Sequence, residues 1–119
     1  MQPSPQPKNI LVILGHPSNT SYSAALAEAY AQGAETAGHT VRVLRLADIV
    51  FDPILHGSDP HRQPLEPDLL AAQTSIAWAR HIAWVFPVWW GTMPALLKGF
   101  LDRTLTSGWA YKFNKGSSF

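Results

Sequence analysis

The stretch Ile10-Leu11-Val12-Ile13-Leu14-Gly15-His16-Pro17-Ser18-Asn19-Thr20-Ser21 decides the fold. Five aliphatic residues in a row, without polar alternation, read as a strand buried on both faces, the kind found in parallel sheets covered by helices. Gly15 ends the run, and a loop rich in turn formers and hydroxyls follows. Thr20 and Ser21 are both good N-caps for a helix running to about Ala37. Leu26, Ala29, Tyr30, Gly33 and Ala37 recur three or four apart and mark its apolar face, with Ala27, Glu28, Gln32 and Glu35 on other faces. Gly38 follows as the residue that closes the helix in a left-handed conformation.

Downstream, Thr40 to Leu46 carries Val41, Val43, Leu44 and Leu46 broken by Arg42 and Arg45, which predicts a partly exposed edge strand. Strand, helix and strand at this spacing make a βαβ unit with parallel strands. Residues 48–67, with four prolines, read as a long loop of the functional or mobile kind, in which His56 and His61 are solvated. A second helix is expected from Glu66 or Pro67 to Arg80, with Leu69, Gln73, Ile76 and Ala77 on its stripe and Leu70 beside it. Ile82 to Phe86 predicts another buried strand, ended by Pro87. Pro94 then starts a third helix where proline is tolerated. Leu97, Phe100, Leu101 and Leu105 form its stripe, and Lys98, Asp102 and Arg103 its solvated side. The order β-α-β-α-β-α predicts an α/β fold, a doubly wound parallel sheet with helices on both faces.

Composition narrows the function. A chain of 119 residues suits one domain. The formal net charge of +1 argues against a nucleic-acid module, which would carry a basic patch. Without cysteine there is no thiolate catalysis and no cysteine-ligated metal, and the scattered histidines have no metal-ligand spacing, so no metal is expected. The longest apolar stretch, Ile82 to Trp90, falls well short of the ~20 residues that span a bilayer. The Pro/Gln/Ser-rich residues 1–8 read as a disordered tail without a signal peptide's apolar region, and the cytoplasm is the expected compartment.

In a doubly wound sheet, ligands bind at the carboxyl ends of the strands. Two loops leave such ends beside long helices. Loop 15–21 offers backbone N–H groups, hydroxyls and an imidazole at a helix N-terminus, an arrangement suited to an anion such as phosphate. The same residues would also serve simply to cap the helix. The pattern is neither Gly-x-x-x-x-Gly-Lys-Ser/Thr nor Gly-x-Gly-x-x-Gly, which disfavours ATP hydrolysis and Rossmann-type dinucleotide binding. Loop 87–93 offers Trp89 and Trp90 followed by Gly91, flat apolar surface with polar edges that suits a planar ring system. The competing reading places one indole in the core and covers the other with a neighbour.

Taken together, Leu14-Gly15-His16-Pro17-Ser18-Asn19-Thr20-Ser21-Tyr22-Ser23, Phe51-Asp52-Pro53-Ile54, the run Phe86 to Arg103, and Gly108-Trp109-Ala110-Tyr111 resemble, in order and spacing, the flavodoxin-like NAD(P)H:quinone oxidoreductases. The resemblance covers residues 9 to about 113. It implies a flavodoxin-like flavin-binding domain over 9–119 that reduces quinones by two electrons at the expense of NAD(P)H. It implies that His16, Ser18, Ser21, Tyr22 and Ser23 hold the flavin phosphate region. Pro87, Val88, Trp89, Trp90 and Gly91 would line the isoalloxazine, largely through backbone groups. Tyr111 and Phe113 would border the substrate pocket. The cofactor is FAD or FMN, the donor NADH or NADPH, the acceptor a quinone or similar small molecule, and the assembly a homodimer.

Relatives continue through further strand–helix units in the order 2-1-3-4-5. The expectation here is therefore a domain truncated after its third strand and helix, in the order 2-1-3, with the third strand as a sheet edge. No catalytic residue is assigned, since the resemblance puts those in the missing C-terminal part. An inactive N-terminal fragment of such an enzyme is the corresponding variant reading. The alternative is a non-enzymatic flavin-binding regulatory subunit of a potassium efflux system, and an electron-carrier flavodoxin ranks last.

Overall fold

A computed structural model describes residues 6–112. Its elements are β1 (Asn9–Leu14), α1 (Tyr22–Thr36), β2 (Thr40–Arg45), a single 3-10 turn (Pro60–Arg62), α2 (Pro67–Trp78), β3 (His81–Val85) and α3 (Ala95–Thr104). The strands form one parallel sheet in the order β2-β1-β3, with Val12 of β1 opposite Val43 and Ala83. β1 is the central strand, which explains its uninterrupted aliphatic run. Its side chains alternate between faces. Ile10, Val12 and Leu14 pack against α1, while Leu11 and Ile13 join Leu69 and Ala72 of α2 and Leu97 and Phe100 of α3. Helices thus cover both faces, as the α/β reading requires.

Ser21 caps α1, its Oγ accepting the Ala24 N–H at 3.1 Å, and Gly38 follows the helix at φ +95°. The buried face of α1 corrects the expectation. Ser23, Ala24, Ala27 and Ala31 face the sheet, whereas Leu26 and Tyr30 stay largely exposed. β1 already presents Ile10, Val12 and Leu14 on that side, and close packing against these branched chains favours alanines. The larger side chains lie on the flank, where Tyr30 Oη comes within 3.0 Å of His81 Nε2.

β3 was expected to be buried on both faces. As an edge strand it is half covered, and Trp84 remains 40% exposed. In α2 the buried residues are Leu69, Ala72 and Gln73, with Ala77 exposed. In α3, Leu105 falls just beyond the helix and is exposed, and Arg103, expected on the solvated side, is 1% exposed.

Arg103 is buried because the 51–66 loop folds over it. Its Nη1 donates to the Asp52 carbonyl at 2.6 Å, and its Nη2 donates to the Pro64 carbonyl at 3.1 Å and to Glu66 Oε1 at 2.6 Å. A buried guanidinium is tolerated only with its donors and charge matched in this way. The same loop packs Phe51 edge to face on Phe100, and Pro53 lies directly against Gly99, where a Cβ would collide with it.

Candidate functional site

The loops after β1 and β3 leave neighbouring strands at the same end of the sheet. The Gly15 N–H donates to the Val85 carbonyl at 2.8 Å, continuing the ladder one residue past the strands. Gly15 packs closely on α3: a Cβ there would stand 2.8 Å from Leu97 Cδ2 and force that side chain to shift. The first loop is therefore wedged against α3 where it begins.

Beyond Gly15 the loop organises itself. His16 Nδ1 accepts the Ser18 N–H at 2.9 Å, which leaves the proton of the neutral ring on Nε2. Ser18 Oγ lies 3.0 Å from Thr20 Oγ1 and accepts the Thr20 N–H, and Ser21 Oγ donates to the Ser18 carbonyl at 2.9 Å. The Ala24 N–H bonds to the Ser21 hydroxyl and the Ala25 N–H to its carbonyl. The amides of Tyr22 and Ser23 are left at the positive end of α1, where an anion gains from both donors and dipole. The Tyr22 ring is 79% exposed, whereas Ser23 is buried in the first turn. Ser18 and Ser21 thus shape the loop, and the Ser23 side chain is buried in the first turn rather than offered as an open hydroxyl.

The second loop is a tight hairpin. Trp89 and Thr92 exchange N–H···O bonds of 2.8 and 3.1 Å, with Trp90 at φ +53° and Gly91 at φ +78° between them. Two positive φ angles are the signature of a type I′ turn, for which glycine is suited and tryptophan is not. Among the described residues Trp90 is the one non-glycine residue with positive φ. That conformation costs about 1–2 kcal/mol, and the indole it presents is fully exposed. Strain of this kind persists where the surroundings enforce it, and it clusters at functional sites. Trp89 and Val88 are exposed beside it and Pro87 is half-buried. Neither indole is in the core, so the turn offers the flat surface expected of it.

The two loops meet where the His16 and Trp89 rings pack edge to face, 5.3 Å between centroids. On the α3 side of the hairpin lies a cavity of about 540 Å³, walled by Trp89, Trp90, Met93, Pro94, Ala95 and Lys98. Its walls include none of residues 16–23. The hollow thus lies against the hairpin and α3, and the loop 16–23 is not part of its wall. Tyr111 lies exposed on the turn after α3, its carbonyl accepting the Gly108 N–H. Phe113 lies outside the described residues.

A third segment, the loop after β2, adjoins these two. Asn19 Nδ2 donates to Asp48 Oδ1 at 2.6 Å, joining the first loop to the one after β2. Farther along, Asp52 and Glu66 carry perturbed carboxyls. The hydrogen bond from Arg103 holds Glu66 below the ordinary glutamate range, and the Ile54 N–H, with His56 next, does the same for Asp52. The Arg103 anchorage left one trace in the sequence: Arg103 stands three residues after Phe100, on the flank of the apolar stripe.

A family model described as flavodoxin-like fold matches residues 8–119. An uncharacterized NAD(P)H oxidoreductase of Haemophilus influenzae is 34% identical over 114 residues, which is 92% of this chain and 56% of that protein. The solved structure of an NAD(P)H:quinone oxidoreductase from Methanothermobacter marburgensis superposes with a TM-score of 0.79 at 32% identity, covering 91% of this chain and 58% of the other. General stress protein 14 of Treponema denticola, solved in complex with FMN, superposes with a TM-score of 0.59 at 25% identity over 90% of this chain and 53% of the other. The chain spans about half the length of the curated relatives it matches. No helix among the described residues is long and apolar enough to cross a membrane.

Proposed function

This chain belongs to the flavodoxin-like fold family, and on that premise we propose that it binds a flavin and serves NAD(P)H-dependent, two-electron reduction of quinones. The observation that carries this reading is the His16–Trp89 contact, which sets the loop at the N-terminus of α1 directly beside an exposed indole surface. The residues fit the group. The amides of Tyr22 and Ser23 and the loop ordered by His16, Ser18 and Ser21 would take the phosphate. Pro87, Val88, Trp89, Trp90 and Gly91 would take the ring, through exposed backbone and indole surface. A bound flavin supplies the transfer of two electrons between a reduced nicotinamide and a quinone. The protein's own part is to fix the phosphate at a helix terminus, present a rigid aromatic wall and keep water from one face of the ring.

FMN is the cofactor we favour testing first, because general stress protein 14 was solved with it. The exposed Val88, and the exposed Trp89 and Trp90 that wall an apolar cavity, support a homodimer in which a second copy borders the site; by the family resemblance Tyr111 would face the acceptor. The same reading places the protein in the cytoplasm, where a reduced nicotinamide would be supplied. The Haemophilus and Methanothermobacter proteins are named as oxidoreductases, which lends nothing to the regulatory-subunit alternative.

The test is titration of the purified chain with FMN and FAD, followed by flavin fluorescence, then NADH and NADPH oxidation with a soluble quinone. Saturable binding that is lost in Trp90→Ala and kept in His61→Ala is expected. Equal effects of the two substitutions, or no flavin binding in any form of the chain, would overturn the reading.

A further inference from the structure

Residues 48–53 run as a strap past the N-terminal end of α2 and across the middle of α3, and every residue in it has an anchor. The Asp48 carboxylate holds Asn19 of the first loop. Ile49 and Phe51 point into the core, and the Val50 N–H donates to Asp68 Oδ2 at 2.6 Å. The Asp52 N–H donates to Glu66 Oε2, its carbonyl accepts from Arg103, and Pro53 lies on Gly99. One end of the strap is thus fixed by a fully buried guanidinium, and the other grips the loop that forms the helix-terminal anion site.

Burial of Arg103 needs an explanation beyond stability. A well-packed apolar side chain at such a position is often as stable as a buried ion pair, whereas a charged network specifies one geometry. Arg103 gathers the Asp52 carbonyl, the Pro64 carbonyl and both oxygens of Glu66 with one planar fork, so it sets the path of the strap rather than merely filling space. Lysine has no such fork and cannot meet three partners on one plane.

We propose that Arg103 is a positioning residue for the helix-terminal site: by clasping the strap at Asp52, directly and through Glu66, it holds Asp48 where it can fix Asn19, and hence the loop 16–20 that leads into the Tyr22 and Ser23 amides. The flavin readout below rests on the function proposed above; the hydrogen-exchange readout does not.

The experiment compares the full chain with Arg103→Lys, Asp48→Ala, Asn19→Ala and the Arg103→Lys/Asn19→Ala double variant. Amide exchange is followed in β1, in residues 49–52 and in the non-proline residues of 16–20, and FMN affinity by fluorescence. Arg103→Lys should speed exchange about tenfold in both 49–52 and 16–20 and leave β1 protected, as local opening does. It should weaken FMN about fivefold, within the range of coupling between linked sites. Asn19→Ala should weaken FMN similarly, and the double variant no more than the worse single one. Asp48→Ala alters an exposed residue, so it cuts the strap's grip even if Arg103→Lys does not fold. It should loosen 16–20 and spare Asp52. The proposal is overturned if 16–20 stays protected in Asp48→Ala, if Arg103→Lys loosens β1 as much as the strap, or if the two losses of affinity add. Coupled exchange in a chain that binds no FMN would support the strap and sink the flavin reading.

Discussion

The imidazole of His16 meets the indole of Trp89 edge to face, with centroids 5.3 Å apart and planes at 75°. The contact spans two loops that the sequence holds far apart and the sheet brings together, because β1 and β3 are hydrogen-bonded neighbours. His16 also orders its own loop by accepting the Ser18 N–H.

Replacing His16 with alanine removes both functions at once. Flavin affinity should fall about tenfold, the scale of a lost hydrogen bond plus an aromatic contact. His16→Asn keeps an acceptor near the Ser18 amide and should recover part of the loss. Fluorescence titration with FMN checks both, and equal affinities for the two variants would show that the acceptor is irrelevant.

Trp90 is strained and exposed, so stability and binding should separate there. Trp90→Asn places a residue that tolerates positive φ in the turn, and should stabilise the fold by about 1 kcal/mol while weakening flavin binding. Denaturant unfolding beside a flavin titration measures both. A destabilised Trp90→Asn protein would mean that the indole packs where the structure leaves it open.

Two glycines give opposite expectations for the same change. Gly33 has nothing within 4 Å of a built Cβ, so Gly33→Ala should stabilise α1 by about 0.5–1 kcal/mol. At Gly99 the Cβ would collide with Pro53, and Gly99→Ala should cost about 1–3 kcal/mol through overpacking. Unfolding midpoints of the two proteins decide the matter, and the loss at Gly99 should be accompanied by loosening of the strap.

Acid should weaken the strap. Glu66 is held below its ordinary value of 4.5, chiefly by Arg103, and Asp52 below 3.8, chiefly by the Ile54 N–H. With a depressed folded pKa, the unfolded chain binds more protons, so the stabilisation is complete above the ordinary value and is lost as pH falls through the folded one. The wild-type Tm should decline below pH 4.5. Glu66→Gln should start lower and decline less steeply. Parallel pH profiles for the two proteins would remove Glu66 from the account.

Much of the fold was legible because its signals are local. The Ile10–Leu14 run has the pattern of a central strand, Ser21 has the chemistry of a cap, and Gly38 sits where a helix closes. The hairpin of Trp89 to Thr92 was legible as a turn, and its pair of indoles as an exposed surface. The face of α1 was misread because periodicity marks a stripe of apolar residues without saying which stripe the sheet can accept. Leu26 and Tyr30 lost to Ala24, Ala27 and Ala31 once the bulk of β1 was in place.

By itself the sequence determined the parallel α/β order and the two loops that carry the candidate site, since both follow from hydrophobic runs and turn chemistry within short windows. Only the tertiary structure decided that His16 touches Trp89, that Asn19 is gripped by Asp48 and that Arg103 is buried. Each of these depends on segments distant in sequence arriving at the same place. For Arg103 the reason is electrostatic: a guanidinium on the flank of a helix belongs in water until a loop arrives carrying two carbonyls and a carboxylate to replace it.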